Sequence, residues 1–265
     1  MPVSEIVILL VLGLVAGAFG GLLGIGGSVI MIPVLTLVLG RDQHVSQAAA
    51  MIVNTFVAVP ALIRHSRKGV VRWDVFMRML PAAIILILVG VQFSNAFEGR
   101  LLERFFAVFL LYVVIFNIQR LISGAPEPTV DQERTGWTPS SSVGGIMGFM
   151  AGLLGIGGGA IAVPLVQRIC NLPLRQSIGT ITAVMCITSV IGAVRKNVTL
   201  ADVVTSTDEM PVVIGSLIIA ACLIPTAIAG SLLGSGLTHI LPLKYVRVAF
   251  ILLMFIVSLK MFGVF

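Results

Sequence analysis

Residues 22–33 read LLGIGGSVIMIP, and residues 153–164 read LLGIGGGAIAVP. A glycine inside a helix costs roughly 1 kcal/mol relative to alanine. Two matching glycine clusters, each followed by a proline (Pro33 and Pro164), therefore mark sites where helical backbone is deliberately broken. The surrounding sequence sets the medium in which this happens. The chain has 265 residues, 58% hydrophobic and 11% charged, with a mean hydropathy of +1.11. Soluble domains carry about 25% charged residues. Stretches such as 76–93, 104–118 and 245–259 approach the roughly 20 apolar residues needed to cross a bilayer. The composition predicts an all-α polytopic membrane protein.

The cluster at 24–27 aligned on that at 155–158 organises the whole sequence. VSQAAA (45–50) then meets LRQSIG (174–179) with small gaps, pairing Gln47 with Gln176. RKGVVRWDV (67–75) meets RKNVTLADV (195–203), pairing Lys68 with Lys196. A polar, proline-rich stretch, SGAPEPTVDQERTGWTPSSS, lies between the halves. The reading is a first transmembrane repeat over 1–122, a cytoplasmic linker over 123–142 and a second repeat over 143–265. Duplication of this kind is characteristic of secondary transporters.

From Ser28 to Leu39 there is only about 18 Å of helix, too little for a core of about 30 Å. Each repeat is therefore expected to be a Gly-broken re-entrant helical hairpin plus three transmembrane helices. An odd number of crossings makes the two repeats inverted. That arrangement gathers 11 of the 17 Lys and Arg residues on the side holding the 64–78 loop, against 10 if each broken region crossed once. The positive-inside rule favours the inverted arrangement and makes that side cytoplasmic.

Irregular backbone at membrane depth must line a cavity or be buried in protein. A helix restarting after GIGG points free N–H groups and its positive dipole end inward. Two such ends meeting at the midplane make a chamber suited to an oxyanion. The residues expected to line it are Gly24, Gly26, Gly27 and Ser28 from the first loop, with Gly155, Gly157, Gly158 and Gly159 from the second. Gln47, Asn54, Gln176 and Thr180, on the helices that follow, supply amides and a hydroxyl. Interhelical hydrogen bonding is an equal reading of those four side chains. All 11 acidic residues fall at segment ends or in loops, which disfavours a cation substrate.

Other chemistries find no support. The three cysteines lack metal-ligand spacing, the three histidines form no such pair, and neither GxSxG nor HExxH occurs. No enzymatic activity, cofactor or metal is expected. The net charge of +6 sits in short loops, where it sets topology rather than binding nucleic acid. The expected partners are a small anionic substrate and the lipid bilayer, with a homodimer left open.

With its paired GIGG loops, trailing prolines, two halves and arginine-lysine loops HSRKGVVRWD and VRKNVTLAD, the chain resembles the sulfite exporter TauE/SafE family of membrane permeases. This family is also called the four-toluene sulfonate uptake permeases. Its small-residue-plus-threonine step resembles Gly179-Thr180, whereas the first half carries Ala50-Met51 there. The resemblance implies transport, often export, of a sulfur oxyanion such as sulfite or an organosulfonate like sulfoacetate. Alternating access around the midplane site is the expected mechanism. An anion channel on the same fold is the alternative.

Overall fold

A computed structural model describes residues 2–123, 133–204, 211–237 and 243–262. Much of the 123–142 linker thus lies outside the described residues. Every described element is helical. Helix α1 (Val3–Leu23) ends at the first glycine cluster, and α2 (Ser28–Leu37) runs back from it. Three long helices follow: α3 (Gln43–Arg67), α4 (Trp73–Ala96) and α5 (Gly99–Ser123). The order then recurs. Helix α6 (Trp137–Leu154) meets the second cluster, α7 (Gly159–Ile169) returns, and α8 (Leu174–Val198) follows. A single turn, α9 (Leu200–Val203), precedes α10 (Val212–Leu237) and α11 (Leu243–Met261). Among the described residues, six helices are long and apolar enough to cross a membrane: α1, α3, α4, α5, α8 and α10.

Helix α2 has 10 residues, about 15 Å of rise, and cannot span a bilayer core. It folds back along α1, so that Gly27 lies against Ala16 and Gly20. Glu5 at the start of α1 pairs with Arg41 beyond the end of α2. The hairpin therefore returns to the face it entered from. The second hairpin does the same, because the Arg134 N–H before α6 donates to the Cys170 carbonyl after α7 at 2.9 Å.

Helices α3 and α8 cross antiparallel at the centre. His44 lies beside Lys196 at one end, Met51 touches Gly192 further in, and Thr180 meets the Arg72 backbone at the other end. Around this pair, the first helix of each half packs on the third long helix of the other. Gly13, Gly17 and Gly21 of α1 sit against Leu223, Ala227 and Ser231 of α10, in parallel. Gly144, Gly148 and Gly152 of α6 sit against Met79, Ala83 and Ile87 of α4, also in parallel. These glycines recur every fourth residue, one stripe on a helix face. Backbones approach so closely that a Cβ on any of them would overlap a facing carbonyl. In a membrane, where lipid is as apolar as leucine, such close packing is what holds helices together. Helices α5 and α11 join at the periphery, where Ser258 Oγ donates to the Ala107 carbonyl at 3.1 Å.

Gly148→Ala should therefore force α4 and α6 apart, costing about 1–3 kcal/mol. Gly215→Ala, at a helical site with nothing within 4 Å of the new Cβ, should be neutral or slightly stabilising. Melting temperatures of the purified variants in detergent will check both.

Candidate functional site

The two glycine clusters end their helices in the left-handed region. Gly24 has φ 65° and Gly26 φ 78°; Gly155 has φ 71° and Gly158 φ 76°. The loops share the sequence GIGG but differ in shape, since the second left-handed residue is third in one loop and fourth in the other. Their tips touch: a Cβ on Gly159 would collide with the Gly24 carbonyl and Ile25. The Gly157 N–H donates to Ser28 Oγ across the contact, at 3.4 Å.

Asn54, at the middle of α3, seals one side. Its Oδ1 accepts from the Ser28 N–H at 3.2 Å, and its Nδ2 donates to Ser28 Oγ at 2.9 Å. An amide oxygen thus occupies the positive N-terminus of α2, where an anion's oxygen would be favoured. Met185, at the middle of α8, fills the other side, its sulfur close to both Gly26 and Gly157. Ser28, Asn54 and Met185 are all buried. The space between the tips is closed by side chains, and the expected chamber is occupied by Asn54 and Met185.

Gln47 packs against Gly155; its Nε2 donates to the Leu153 carbonyl at 3.4 Å and its Oε1 accepts from Ser94 at 3.0 Å. Gly24, Gly26, Gly27, Ser28, Gln47, Asn54, Gly155, Gly157, Gly158 and Gly159 are thus brought to the tips or directly against them. The other two candidates lie elsewhere. Thr180 is buried one turn away, and its Oγ1 accepts from the Arg72 N–H at 3.0 Å, capping α4. Gln176 lies in the first turn of α8, half-buried, and its Oε1 has no hydrogen-bond partner among the described residues. The cause is register. The spacing from Gly24 to Gly155 carries on unbroken to Gln43 and Leu174, the first residues of α3 and α8. The position equivalent to Gln47 is therefore Ile178, which packs on Gly24 as Gln47 packs on Gly155. Matching glutamine to glutamine inserted gaps that the backbone does not have.

Two participants escaped the sequence reading. Met185 is the positional equivalent of Asn54, which an ungapped alignment would have exposed. Lys196, read as a loop charge, is the last-turn residue of α8 and only 1% exposed. Its signal was helical spacing, since Met185, Ser189, Gly192 and Lys196 fall on one face. Its Nζ donates to Ser94 Oγ at 2.8 Å and Asn95 Oδ1 at 3.0 Å, and lies 3.0 Å from His44 Nδ1. Near the opposite face, Asp74 and Glu133 beside Arg72 hold its guanidinium pKa above the ordinary value.

Two half-helices meeting tip to tip inside a bundle of long apolar helices define a multi-pass membrane protein with the broken-helix architecture found in secondary transporters. The chain belongs to the sulfite exporter TauE/SafE family, whose sequence profile matches residues 9–261. A probable membrane transporter protein of Haemophilus influenzae is 26% identical over 97% of this chain and 98% of its own length. YunE of Bacillus subtilis, also a probable membrane transporter protein, is 25% identical over 71% of this chain and 77% of its own. MamO of Paramagnetospirillum magneticum, of the same description, is 24% identical over 98% of this chain. The chain spans 45% of the length of that larger protein. No solved structure matches it.

Asn54→Ala leaves the Ser28 N–H without its acceptor in a buried site, a cost of about 1–3 kcal/mol. Its melting temperature should fall clearly below that of the parent. Gly155→Ala, strained in φ and overlapping Gln47, should fold in lower yield, read as monodisperse protein recovered from detergent extracts.

Proposed function

We propose that this protein is a secondary transporter of a small sulfur oxyanion, sulfite or an organosulfonate, and that it works as an exporter in the cell membrane. One observation carries the reading. Two glycine-broken half-helices enter from opposite ends of the antiparallel α3–α8 pair and touch at mid-bundle, with Ser28 and Asn54 as the polar pair at the contact. The opposite runs of α3 and α8 support a pair of inverted repeats, residues 1–122 and 143–265, joined by 123–142. The face bearing Arg64, Arg67, Lys68, Arg72 and Arg78 is cytoplasmic under the positive-inside rule.

In operation, an anion displaces the Asn54 amide from the N-terminus of α2 and takes hydrogen bonds from the Ser28 N–H and hydroxyl and the Gly157 N–H. Rocking of one hairpin against the other opens the site to either face. Glycine is needed because a Cβ at Gly26 or Gly157 would meet Asn54 and Met185 at the tip. A membrane potential negative inside favours anion export by about 2.3 kcal/mol per charge per 100 mV. The buried tip contact supports a transporter over an open channel.

Sulfite, sulfate, thiosulfate, sulfoacetate, taurine, acetate and chloride should be offered to the purified protein, with thermal stabilisation as readout. A ligand of the native state raises stability by RT ln(1 + [L]/Kd). A shift confined to sulfite or one sulfonate is expected, with saturable flux of that anion in proteoliposomes. Gly26→Ala and Gly157→Ala should insert in the membrane and lose that flux. A response to a cation alone, or ohmic single-channel steps, would overturn the reading.

A further inference from the structure

We propose that Lys196 is a second anion subsite, on a polar route joining the glycine tips to a cleft at the Glu5 face; this rests on the anion-transport reading above. The cleft has a volume of about 480 Å³, and its walls include Asp42, His44, Asn95, Glu98 and Asp202. Two of these, His44 and Asn95, are also neighbours of the Lys196 ammonium. From Lys196 a directed chain runs inward. Nζ donates to Ser94, Ser94 donates to Gln47, and Gln47 donates to the Leu153 carbonyl at the tip of the second hairpin. The ammonium thus stands between the tips and the cleft, with Ser94 and Gln47 in succession on the inner side and His44 and Asn95 on the outer.

The charge itself is the second part of the argument. A lysine buried in a membrane helix is costly and normally paired. Among the described residues no carboxylate forms an ion pair with Lys196, and its three hydrogen-bonding neighbours are a hydroxyl, an amide oxygen and an imidazole nitrogen. With the ammonium donating to Nδ1, His44 carries its proton on Nε2 and donates to the Phe97 carbonyl at 3.1 Å. Every hydrogen-bonding partner of the ammonium is therefore neutral, Asp42 is the carboxylate that acts on it through space, and with no direct ion pair the ammonium is open to a visiting anion. The cleft wall has the opposite character. Asp42, Glu98 and Asp202 line the cleft, with Asp42 also capping α3 through the His44 and Val45 N–H groups. These carboxylates weaken the hold of Lys196 on an anion and oppose the entry of anions from the cleft.

Sulfite flux should be measured from each face, in right-side-out and inside-out vesicles, for the parent, Lys196→Gln, Lys196→Arg and Asn95→Asp. Asn95→Asp keeps the lysine and supplies it with a carboxylate, so it tests the subsite even if Lys196→Gln fails to fold. Loss of a charge-assisted hydrogen bond predicts an increase of about tenfold in half-saturating sulfite at one face only, in both Lys196→Gln and Asn95→Asp. Lys196→Arg should retain the parent value. Unchanged half-saturation at both faces, in variants that elute as the parent does, would overturn the subsite and leave the transporter standing. A changed response to a proton gradient with unchanged sulfite saturation would overturn it too, marking Lys196 as a proton site. If the parent moves neither sulfite, thiosulfate nor sulfoacetate, the anion reading fails and takes the subsite with it.

Discussion

A polypeptide that stops being helical halfway through a membrane leaves N–H and C=O groups that lipid cannot satisfy. The rest of this structure follows from that constraint. The two GIGG clusters break their helices at mid-bundle, so each must be enclosed by protein. Each tip is enclosed partly by the other, backbone on backbone, and partly by the central helices α3 and α8. Asn54 takes the freed Ser28 N–H, and Gln47 donates to the Leu153 carbonyl. The hairpins cannot be stable alone, and neither half can be complete without its partner.

That mutual dependence explains the exchange of helices between halves. Helix α1 packs on α10 and α6 on α4 through stripes of glycine that let backbones touch. The chain thus uses glycine in two ways. In the stripes its lack of a Cβ permits close helix packing, and its φ is ordinary. In the tips four of the glycines take positive φ, which ordinary L side chains disfavour. The two uses are told apart by spacing: one glycine every four residues for packing, a cluster for the break.

The tips are alike in sequence and unlike in chemistry. Ser28 faces Gly159 in the alignment, Asn54 faces Met185, and Gln47 faces Ile178. In each pair the first half supplies the polar group and the second the apolar or missing side chain. Among the described residues the polar path from the tips therefore runs through Gln47 and Ser94 to Lys196, whose neighbours His44 and Asn95 line the cleft near the Glu5 face. A duplicated scaffold with a single polar lining is suited to handling its two faces differently.

By itself the sequence determined the class, the break points and most of the residues near them. Length, hydropathy and the repeated GIGG are properties of single segments, and they act through local physics: apolar runs enter lipid, and glycine clusters end helices. The position of a polar side chain within a packed bundle is not such a property. Gln176 carries the same amide as Gln47 and Thr180 a hydroxyl like that of Ser28, yet register places one in the first turn of α8 and the other on the Arg72 backbone. Lys196 reads as a topology charge until α8 is seen to continue past it, turning its side chain inward beside Ser94 and His44. Only tertiary structure decides these, because a hydrogen bond between residues about 100 positions apart depends on how helices cross.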